Sequence, residues 1–298
     1  MYDIIIIGAG PAGLTSAIYA SRALKKTLVL EAVAYGGQIL NTLDIENYPA
    51  EEHISGFDFA TKLYNQAKDL GTEIKFEKVI EITKTKEVIT TKNKYQAKSI
   101  ILATGADNRK LKLENEEKLT GKGISYCATC DGAFYKNKVV AVQGGGNTAV
   151  EDAIYLSDIA ETVYLIHRRE NFKAEEILLE QLKEKQNVKI LLNTTVTKLN
   201  GENKLESIEI TNNKETQTLN IDGLFIAIGQ VPETENFKKI IETNEQGYVI
   251  AKEDCHTNEP GIFVAGDNRT KEVRQLVTAT SDGAISAIEA IKYIRKGE

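Results

Sequence analysis

Residues 3–13 read Asp-Ile-Ile-Ile-Ile-Gly-Ala-Gly-Pro-Ala-Gly, a β-branched run followed at once by three spaced glycines. The run does not alternate apolar and polar residues, which is typical of a strand buried on both faces of a parallel sheet. Gly8 allows a tight turn, Gly10 lets the backbone approach a pyrophosphate, and Gly13 lets the next helix pack against the strand. The stretch therefore predicts a strand, a turn and a helix whose amino terminus binds an adenine dinucleotide.

The residues that follow this turn extend the prediction. Pro11 and Ala12 stand inside the turn, and a second apolar strand ends at Glu31, where a carboxylate is placed to accept hydrogen bonds from a ribose. Residues 32–60, which include Gly37, Gln38 and Asn47, have no regular pattern. They are interpreted equally well as a ligand-contacting loop and as an ordinary surface loop.

The same pattern occurs a second time. Residues 138–142 read Lys-Val-Val-Ala-Val and lead into Gly-Gly-Gly-Asn-Thr-Ala at 144–149. The three glycines of the first turn correspond to Gly144, Gly146 and Ala149, and Asn147 and Thr148 complete the second turn. A chain of 298 residues is long enough for two domains. The repeat therefore predicts an α/β fold with two dinucleotide-binding domains.

The two units differ at the end of their second strand. Where the first has Glu31, the second has His167-Arg168-Arg169, with Lys173 shortly after. A carboxylate would repel a 2′-phosphate, whereas guanidinium groups pair with it in a forked, charge-assisted geometry. The second site is therefore interpreted as selective for NADPH, and the alternative is a solvated basic cluster at a strand end.

Two further apolar runs, 99–106 and 261–267, are interpreted as buried strands that end in small residues. Such endings allow a ligand to approach the carboxyl edge of the sheet. The residues at these ends are Ala103, Thr104, Gly105, Gly266 and Asp267. Asp267 is interpreted either as the acceptor of a ribityl or ribose hydroxyl or as a cap for the final helix.

The remaining segments give coarser predictions. Residues 71–96 alternate polar and apolar residues, which predicts an antiparallel β excursion. Residues 174–186 predict a helix, 188–210 a β meander, and 278–294 a closing helix.

Residues 127–132 read Cys-Ala-Thr-Cys-Asp-Gly, just before the second glycine turn. Two thiols separated by two residues close a ring too small to gain much chain-entropy stabilisation, and each thiol favours the thiolate of the other. The pattern predicts a redox-active pair; the alternatives are half a zinc site or two unrelated buried cysteines. Zinc takes about four ligands, and the other candidates are not spaced to complete a site: Cys255, His53, His167 and His256. No metal is therefore expected.

Composition limits the class of protein. The net charge of −6, with no prominent Lys/Arg run, argues against nucleic-acid binding. No segment approaches the roughly 18 apolar residues of a membrane span, and the buried-strand pattern begins at once, which leaves no room for a leader peptide. Three cysteines fit a reducing compartment, so a cytoplasmic protein is expected.

In combination, these motifs resemble the low-molecular-weight, NADPH-dependent thioredoxin reductases over essentially the whole chain. In flavoenzymes similar to glutathione reductase, the dithiol belongs to the first domain, and residues 30–60 contain no cysteine here. The resemblance implies two Rossmann-like domains, with an NADPH domain (114–245) inserted into an FAD domain (1–113 and 246–298). It also implies a homodimer.

The resemblance implies roles for individual residues. Cys127, Cys130 and Asp131 would be catalytic, with Cys130 beside the flavin and Asp131 managing the proton. Electrons would pass from NADPH to FAD, to the cysteine pair, and then to thioredoxin or a thioredoxin-like protein. The inserted domain would rotate about linkers near 113–120 and 240–247, so that the dithiol and the nicotinamide site face the flavin alternately.

The cofactor contacts implied by the resemblance follow the motifs. For FAD they are Gly8, Gly10, Pro11, Ala12, Gly13, Glu31, Gly37, Gln38, Asn47, Ala103, Thr104, Gly105, Gly266, Asp267, Arg274 and Gln275. For NADPH they are Gly144, Gly146, Asn147, Thr148, Ala149, His167, Arg168, Arg169 and Lys173.

The chain departs from the family pattern at Lys173, where a third arginine is usual. A lysine keeps the charge but lacks the fork, which softens the expected NADPH preference. Cys255 matches no family motif and is interpreted as structural or incidental.

Three other functions are compatible with parts of the pattern. A peroxiredoxin-linked flavoprotein usually carries an extra amino-terminal module, whereas the first strand pattern here starts at Tyr2. A ferredoxin-fed relative lacks the second glycine turn and the basic cluster, and both are present. A dinucleotide sensor with an inert dithiol would not expose thiols on reduction.

Overall fold

The computed structural model describes residues 1–42, 44–212 and 215–297. The chain forms two compact units, and one is inserted into the other. The outer unit consists of Met1–Asp107 and Val231–Glu298, and the inserted unit consists of Asn108–Gln230.

The first part of the outer unit is built from two helices and a run of short strands. In chain order these are β1 (Tyr2–Ile7), α1 (Pro11–Arg22), β2 (Thr27–Glu31), α2 (Gly56–Asp69), β3 (Glu73–Phe76), β4 (Val79–Ile82), β5 (Glu87–Thr90), β6 (Lys94–Leu102) and β7 (Ala106–Asn108). A short 3₁₀ helix covers Gly37–Asn41.

The inserted unit follows with its own strands and helices. They are α3 (Glu116–Leu119), β8 (Ile124–Ser125), α4 (Ala128–Asp131), β9 (Val139–Gly144), α5 (Asn147–Ser157), β10 (Thr162–Ile166), α6 (Glu176–Lys183), β11 (Val188–Leu191), β12 (Thr194–Asn200), β13 (Ser207–Asn212), β14 (Glu215–Asn220) and β15 (Gly223–Ala227). A 3₁₀ helix covers Gly132–Tyr135.

The chain then completes the outer unit. The remaining elements are β16 (Gln230–Pro232), a 3₁₀ helix over Glu235–Phe237, β17 (Ile262–Val264) and α7 (Leu276–Gly297).

The outer unit is organised around β1, as the apolar run predicts. β1 pairs in parallel with β2 and with β6, β3 extends the sheet beyond β2, and β17 pairs in parallel with β6. Ile4 and Ile6 pack against α1 and α7, whereas Ile5 and Ile7 belong to a second cluster that includes Val88. Because both faces are covered, the strand has no polar position to alternate with its isoleucines.

The inserted unit repeats this arrangement. Its sheet is parallel throughout, in the order β11-β10-β9-β15-β8, and β9 occupies the place of β1. A separate antiparallel sheet is formed by β12, β13 and β14. The predicted α/β class with two dinucleotide-type units is confirmed.

Several predictions about single elements were wrong. β3 lies in the region expected to be an antiparallel excursion but pairs in parallel with β2. In that region the antiparallel pairs are β4 with β5 and β5 with β6. Helix α2 begins at Gly56, inside the predicted loop. The helix expected over 174–186 is confined to α6, and β11 joins the parallel sheet rather than a meander.

The structure divides the chain at 107/108 and 230/231, whereas the sequence predicts division at 113/114 and 245/246. Residues 231–245 lie in the outer unit because Phe237 and Ile241 are buried in its core. Leu111 and Leu113 pack against a core cluster of the inserted unit. The apolar side chains of both segments therefore pack into the core of the unit to which each segment belongs. Within the described ranges, none of the helices has the length and apolarity required to span a membrane.

Candidate active site

The first glycine turn joins β1 to α1. A Cβ atom on Gly8 would stand 2.2 Å from the carbonyl oxygen of Ala103, and one on Gly13 would stand 1.9 Å from that of Gly8. Both positions therefore require glycine. Gly10 precedes α1 in an extended conformation, no side chain caps the helix, and its first turn contains no acidic residue. Its amino-terminal N–H groups and helix dipole are available to a phosphate.

The other residues predicted around this turn lie beside it. The Ala9 N–H donates to Glu31 Oε2 at 2.8 Å, and the Gly36 N–H donates to the Ala9 carbonyl at 2.8 Å. Gly37 faces Gly10 so closely that a Cβ atom on Gly37 would lie 3.4 Å from its Cα. The loop 36–38 therefore lies directly against the glycine turn.

The strand ends predicted to face a ligand meet at the same edge. A Cβ atom on Gly266 would stand 3.0 Å from the Ala12 Cβ. Asn268 Nδ2 donates to Thr104 Oγ1 at 3.1 Å, which joins the end of β6 to the turn after β17. Near this edge Gln38 donates to Asp107 at 2.5 Å, and Asn47 donates to Gln275 at 3.3 Å.

Four buried polar atoms of the outer unit lack a hydrogen bond. Among the described residues, these are Thr15 Oγ1, Asp267 Oδ1, Asn268 Oδ1 and Arg274 Nε. Burial raises the pKa of Asp267, and Lys271 and Arg274 partly oppose this. The orphaned Asp267 oxygen and the orphaned Arg274 N–H, near the first glycine turn, fit a polar ligand with hydroxyl groups and phosphates.

A buried charge cluster, which the sequence did not predict, holds the Gly266 turn. Arg269 is 1% exposed and donates two hydrogen bonds to Asp282, at 2.8 and 2.9 Å. Asp282 also accepts from Lys271 and from the Gly266 N–H, each at 2.9 Å. Desolvation would raise the pKa of Asp282, but the two cations lower it below its usual value. The carboxylate therefore remains charged and ties α7 to the turn.

The second glycine turn, between β9 and α5, has the same construction. A Cβ atom on Gly144 would stand 2.3 Å from the Ala227 carbonyl oxygen, which matches the contact between Gly8 and Ala103. Gly146 precedes α5 in an extended conformation, again with no side-chain cap and no acidic residue in the first turn. Ala149 is buried, Thr148 is exposed, and the side chain of Asn147 exchanges hydrogen bonds with Glu175.

The basic segment after β10 wraps around this turn. Arg168, Arg169 and Lys173 are exposed, and none of them has an ion pair within the part of the chain that the structure describes. His167 instead is 7% exposed, and its ring lies beneath Gly145, where a Cβ atom would be 2.0 Å from Nδ1. Its Nε2 is 3.0 Å from the Asn171 carbonyl. The three exposed cations suit an exposed phosphate, whereas His167 supports the turn.

Cys127 and Cys130 form a disulfide, with a Cα–Cα distance of 5.3 Å. Both are half-buried. Cys127 precedes the short helix α4, and the backbone N–H of Asp131 donates to the Cys127 carbonyl at 3.2 Å. Gly132 packs against Tyr155, since a Cβ atom there would stand 2.9 Å from that ring. The turn is therefore seated on α5, with one face open.

Two residues around the disulfide were missed from the sequence. Ser125, at the end of β8, donates to Asp131 Oδ2 at 2.6 Å and accepts from the Cys127 N–H at 3.0 Å. Burial raises the pKa of Asp131, and the Ser125 hydrogen bond partly opposes this. Glu116, 2% exposed, accepts from the Tyr126 hydroxyl at 2.8 Å and from the N–H of Leu111 at 2.8 Å. Proximity to Cys127 is the only sequence signal for either residue.

A cluster of possible metal ligands lies elsewhere in the outer unit. His53 Nδ1 is 2.9 Å from Asp44 and 3.4 Å from Glu46. Hydrogen bonding to Asp44 raises the pKa of His53. These are the contacts of an exposed ion-paired histidine, and we assign no metal to them.

Two nucleotide-type turns and a disulfide within a short turn define a class: reductases that pass electrons between a nicotinamide nucleotide, a flavin and a disulfide. The chain belongs to the pyridine nucleotide-disulphide oxidoreductase family, whose sequence profile matches residues 2–283. The protein is thus an oxidoreductase that uses a flavin and a nicotinamide nucleotide.

Individual similar proteins indicate a narrower class within this family. A thioredoxin reductase from Listeria innocua is 43% identical over 302 residues, covering 99% of this chain and 95% of the relative. The crystal structure of thioredoxin reductase from Streptococcus pyogenes matches with a TM-score of 0.94 and 39% identity, covering 99% of both chains. A Clostridium pasteurianum relative described as a 34.2 kDa protein in a rubredoxin operon is 44% identical, covering 98% of this chain and 97% of that protein. The resemblance to thioredoxin reductases is confirmed.

Proposed function

We propose that this protein is an NADPH-dependent thioredoxin-disulfide reductase. FAD binds in the outer unit, NADPH binds in the inserted unit, and Cys127–Cys130 is the disulfide that is reduced. The observation that carries the proposal is the half-buried disulfide next to the half-buried carboxyl group of Asp131, in the same unit as an uncapped nucleotide turn. Thioredoxin reductases that match this chain over nearly its whole length support the choice of acceptor.

The outer unit contains candidate partners for the pyrophosphate, ribose and ribityl groups of FAD. The N–H groups at the start of α1 would bind the pyrophosphate, and Glu31 would accept from the ribose of the adenosine. The orphaned Asp267 Oδ1 would accept from a ribityl hydroxyl, and Arg274 Nε would donate to an oxygen of the cofactor. When bound, FAD supplies a two-electron relay between the nicotinamide and the disulfide.

The inserted unit offers NADPH a second pyrophosphate site at the start of α5. Arg168 and Arg169 would bind the 2′-phosphate through forked hydrogen bonds, and Lys173 would add a point charge. Glu31 holds the corresponding position in the first unit and would repel that phosphate. The different residues at equivalent strand ends therefore assign the two nucleotides to different units.

The reduced cysteine pair would transfer its electrons by thiol–disulfide exchange. One thiolate attacks a sulfur of the partner's disulfide, the partner's S–S bond breaks, and a mixed disulfide forms. The partner's leaving thiolate takes a proton from the carboxylic acid of Asp131. The second cysteine then gives its proton to the Asp131 carboxylate and attacks the mixed disulfide. The Cys127–Cys130 bond re-forms, and the partner leaves with its second sulfur as a thiolate, which takes a proton from water. The two thiols are oxidised, and the partner's disulfide is reduced.

The proposal includes three further features. The inserted domain rotates between half-reactions, so that the nicotinamide site and the dithiol serve the flavin in turn. The enzyme works as a homodimer. It works in the cytoplasm, which the small number of cysteines supports.

An anaerobic titration of the purified yellow protein with NADPH, and separately with NADH, tests the electron path. Flavin absorbance and free thiols are followed together. We expect NADPH to bleach the flavin and to expose the two thiols of the disulfide in each chain. Cys130→Ser is the control, because its flavin should still be bleached although no disulfide can open. A flavin that stays oxidised with NADPH would contradict the hydride site and favour a ferredoxin-type donor.

The acceptor is tested separately, because the relative named for a rubredoxin operon leaves it open. Reduced enzyme is mixed with thioredoxin, with a peroxiredoxin and with rubredoxin, and reoxidation of the flavin is followed. We expect thioredoxin to react fastest. Faster reaction with a redox protein that lacks a disulfide would point to a different acceptor class.

A further inference from the structure

The hydroxyl group of Ser125 lies between three groups of the dithiol turn. Its Oγ is 2.6 Å from Asp131 Oδ2, 3.0 Å from the backbone nitrogen of Cys127, and 3.3 Å from the Cys127 carbonyl oxygen. Ser125 is 4% exposed and lies in β8, where it pairs with Phe225 of β15. The oxygen is therefore held in place by a buried parallel strand, while its proton is free to rotate.

A serine hydroxyl has one proton to donate and two lone pairs that accept. When Asp131 is ionised, the hydroxyl donates to Oδ2 and accepts from the Cys127 N–H. When Asp131 is protonated, Oδ2 donates to Ser125 Oγ, and the hydroxyl turns to donate to the Cys127 carbonyl. All these groups have partners in both states, so neither state leaves a buried polar group unsatisfied.

We propose that Ser125 is a positioning residue for proton transfer, a hydroxyl rotor that satisfies Asp131 before and after it exchanges its proton with the dithiol. The inference rests on the proposed use of Cys127–Cys130 as the redox pair. Asp131 remains the group that gives and takes the proton, and Ser125 acts through it.

The role follows from the proton balance of the exchange reaction. Asp131 loses a proton to the partner's leaving thiolate when the mixed disulfide forms, and regains one from the second cysteine when that disulfide breaks. Its carboxyl group changes charge twice per turnover at a half-buried position. Without a partner that adapts, one of the two states would lose its hydrogen bond there while still partly desolvated.

Ser125→Ala tests the proposal on protein that contains FAD and has been reduced with dithiothreitol. The protonation of Asp131 is followed against pH by infrared difference spectroscopy, with Asp131→Asn identifying the carboxyl signal. We expect the pKa of Asp131 to rise by about one unit, because a hydrogen bond to a charged group is lost. At neutral pH, exchange with oxidised glutathione, whose leaving thiolate takes up a proton, should slow by roughly three- to tenfold. Ser125→Thr, which keeps the hydroxyl, should restore both.

A double-mutant cycle separates this role from a general effect on folding. In the Asp131→Asn background, Ser125→Ala should slow exchange no further. If Ser125→Ala does not fold, the comparison of Ser125→Thr with Ser125→Val, two side chains of equal size, carries the same test. Ser157→Ala is the matched control, because that buried hydroxyl in the same unit donates only to the Ile154 carbonyl.

The outcomes are distinct. An unchanged Asp131 titration in Ser125→Ala, or equal slowing in the Asp131→Asn background, would overturn the role of Ser125 and leave the proposed function standing. If dithiothreitol exposes no pair of alkylatable thiols, the proposed function fails, and the rotor fails with it. If the Asp131 titration shifts in Ser125→Ala and keeps its wild-type position in Ser125→Thr, the role of Ser125 as a hydroxyl rotor is established.

Discussion

At the scale of single residues, Asp131 and Asp152 are half-buried carboxyl groups of the inserted unit with different surroundings. Asp131 is hydrogen-bonded to Ser125 and lies in the dithiol turn. Asp152, in α5, has its pKa raised to about 7, first by burial and then by the charge of Glu151. A carboxyl that ionises near neutral pH in a buried site is a cost to stability, and such groups are concentrated at functional sites.

The stability cost of Asp152 has a defined pH range. The unfolded chain releases the Asp152 proton near pH 3.8, and the folded protein releases it near pH 7. Between these two pH values the folded state therefore holds one more proton than the unfolded state. The free energy of unfolding should therefore fall as pH rises through this range, by about 1 kcal/mol per pH unit. Asp152→Asn should remove this pH dependence of the free energy of unfolding, and the variant should be more stable than the wild type at pH 8. Denaturant unfolding measures both. The control Asp158→Asn, in an exposed ion pair, should change stability by less than about 1 kcal/mol. An unchanged slope in Asp152→Asn would contradict the prediction.

The basic segment after β10 contains residues with two different roles. Arg168 is expected to select the coenzyme, and His167 is expected to support its site. Arg168→Ala should weaken binding of NADP⁺ by roughly ten- to a hundredfold and leave NAD⁺ unchanged, because only the 2′-phosphate is lost as a partner. His167→Ala should weaken both nucleotides by a similar factor, because its ring lies under Gly145. Isothermal titration with both nucleotides measures this. Lys183→Ala, an exposed cation on α6, is the control, and selective loss of NADP⁺ in His167→Ala would place that ring at the phosphate.

At the scale of elements, the two glycine turns use their glycines for different purposes. Gly144 lies against the Ala227 carbonyl and the Ala149 methyl, so a side chain there has no room. Gly146 has no atom within 4 Å of where a Cβ would be placed, and its φ of −99° suits any residue. Gly144 therefore allows the end of β9 to pack against the end of β15, whereas Gly146 leaves space in which a ligand could bind.

These two glycines therefore predict opposite results on substitution by alanine. Gly146→Ala should fold with unchanged thermal stability but bind NADP⁺ at least about tenfold more weakly, because the methyl group occupies the approach of the pyrophosphate. Gly144→Ala should lose about 1–3 kcal/mol of stability through steric overlap. Thermal unfolding and nucleotide titration measure both. Wild-type affinity in Gly146→Ala would contradict the assignment of this turn to a phosphate.

At the scale of the whole molecule, each unit has its own hydrophobic core. Phe225 is fully buried in the inserted unit and packs edge-on against Tyr135 at 5.2 Å. Phe263 is 1% exposed in the outer unit and packs edge-on against His256 at 4.9 Å. The nucleotide sites are built on these separate cores, so each site depends on the stability of its own unit.

This separation predicts that a core cavity affects one site only. Phe225→Ala should cost its unit about 3–5 kcal/mol and weaken NADP⁺ binding on heating, while flavin release keeps its wild-type midpoint. Phe263→Ala should do the reverse, so each variant is the control for the other. Flavin fluorescence and NADP⁺ binding, followed against temperature, report on the two units. A shift of both midpoints in either variant would show that the units unfold as one.

The sequence by itself determined those features that depend on short contiguous stretches of residues. The β-branched run and its glycine turn, the repeat of that unit at 144–149, and the cysteine pair all follow from the local conformations and chemistry of neighbouring residues. The class of fold followed as well, because two such units require two parallel sheets.

Tertiary structure alone decided which distant residues meet. The tie between Gly266 and Asp282 depends on how α7 docks, the boundary near 230 depends on where Phe237 is buried, and the contact of His167 with Gly145 depends on how the loop folds back. Sheet register and helix docking are sums of many weak contacts over the whole chain, so no short segment encodes them. The environments of Asp131 and Asp152 belong here too, because burial changes the pKa of a carboxyl group and is a property of the packed molecule.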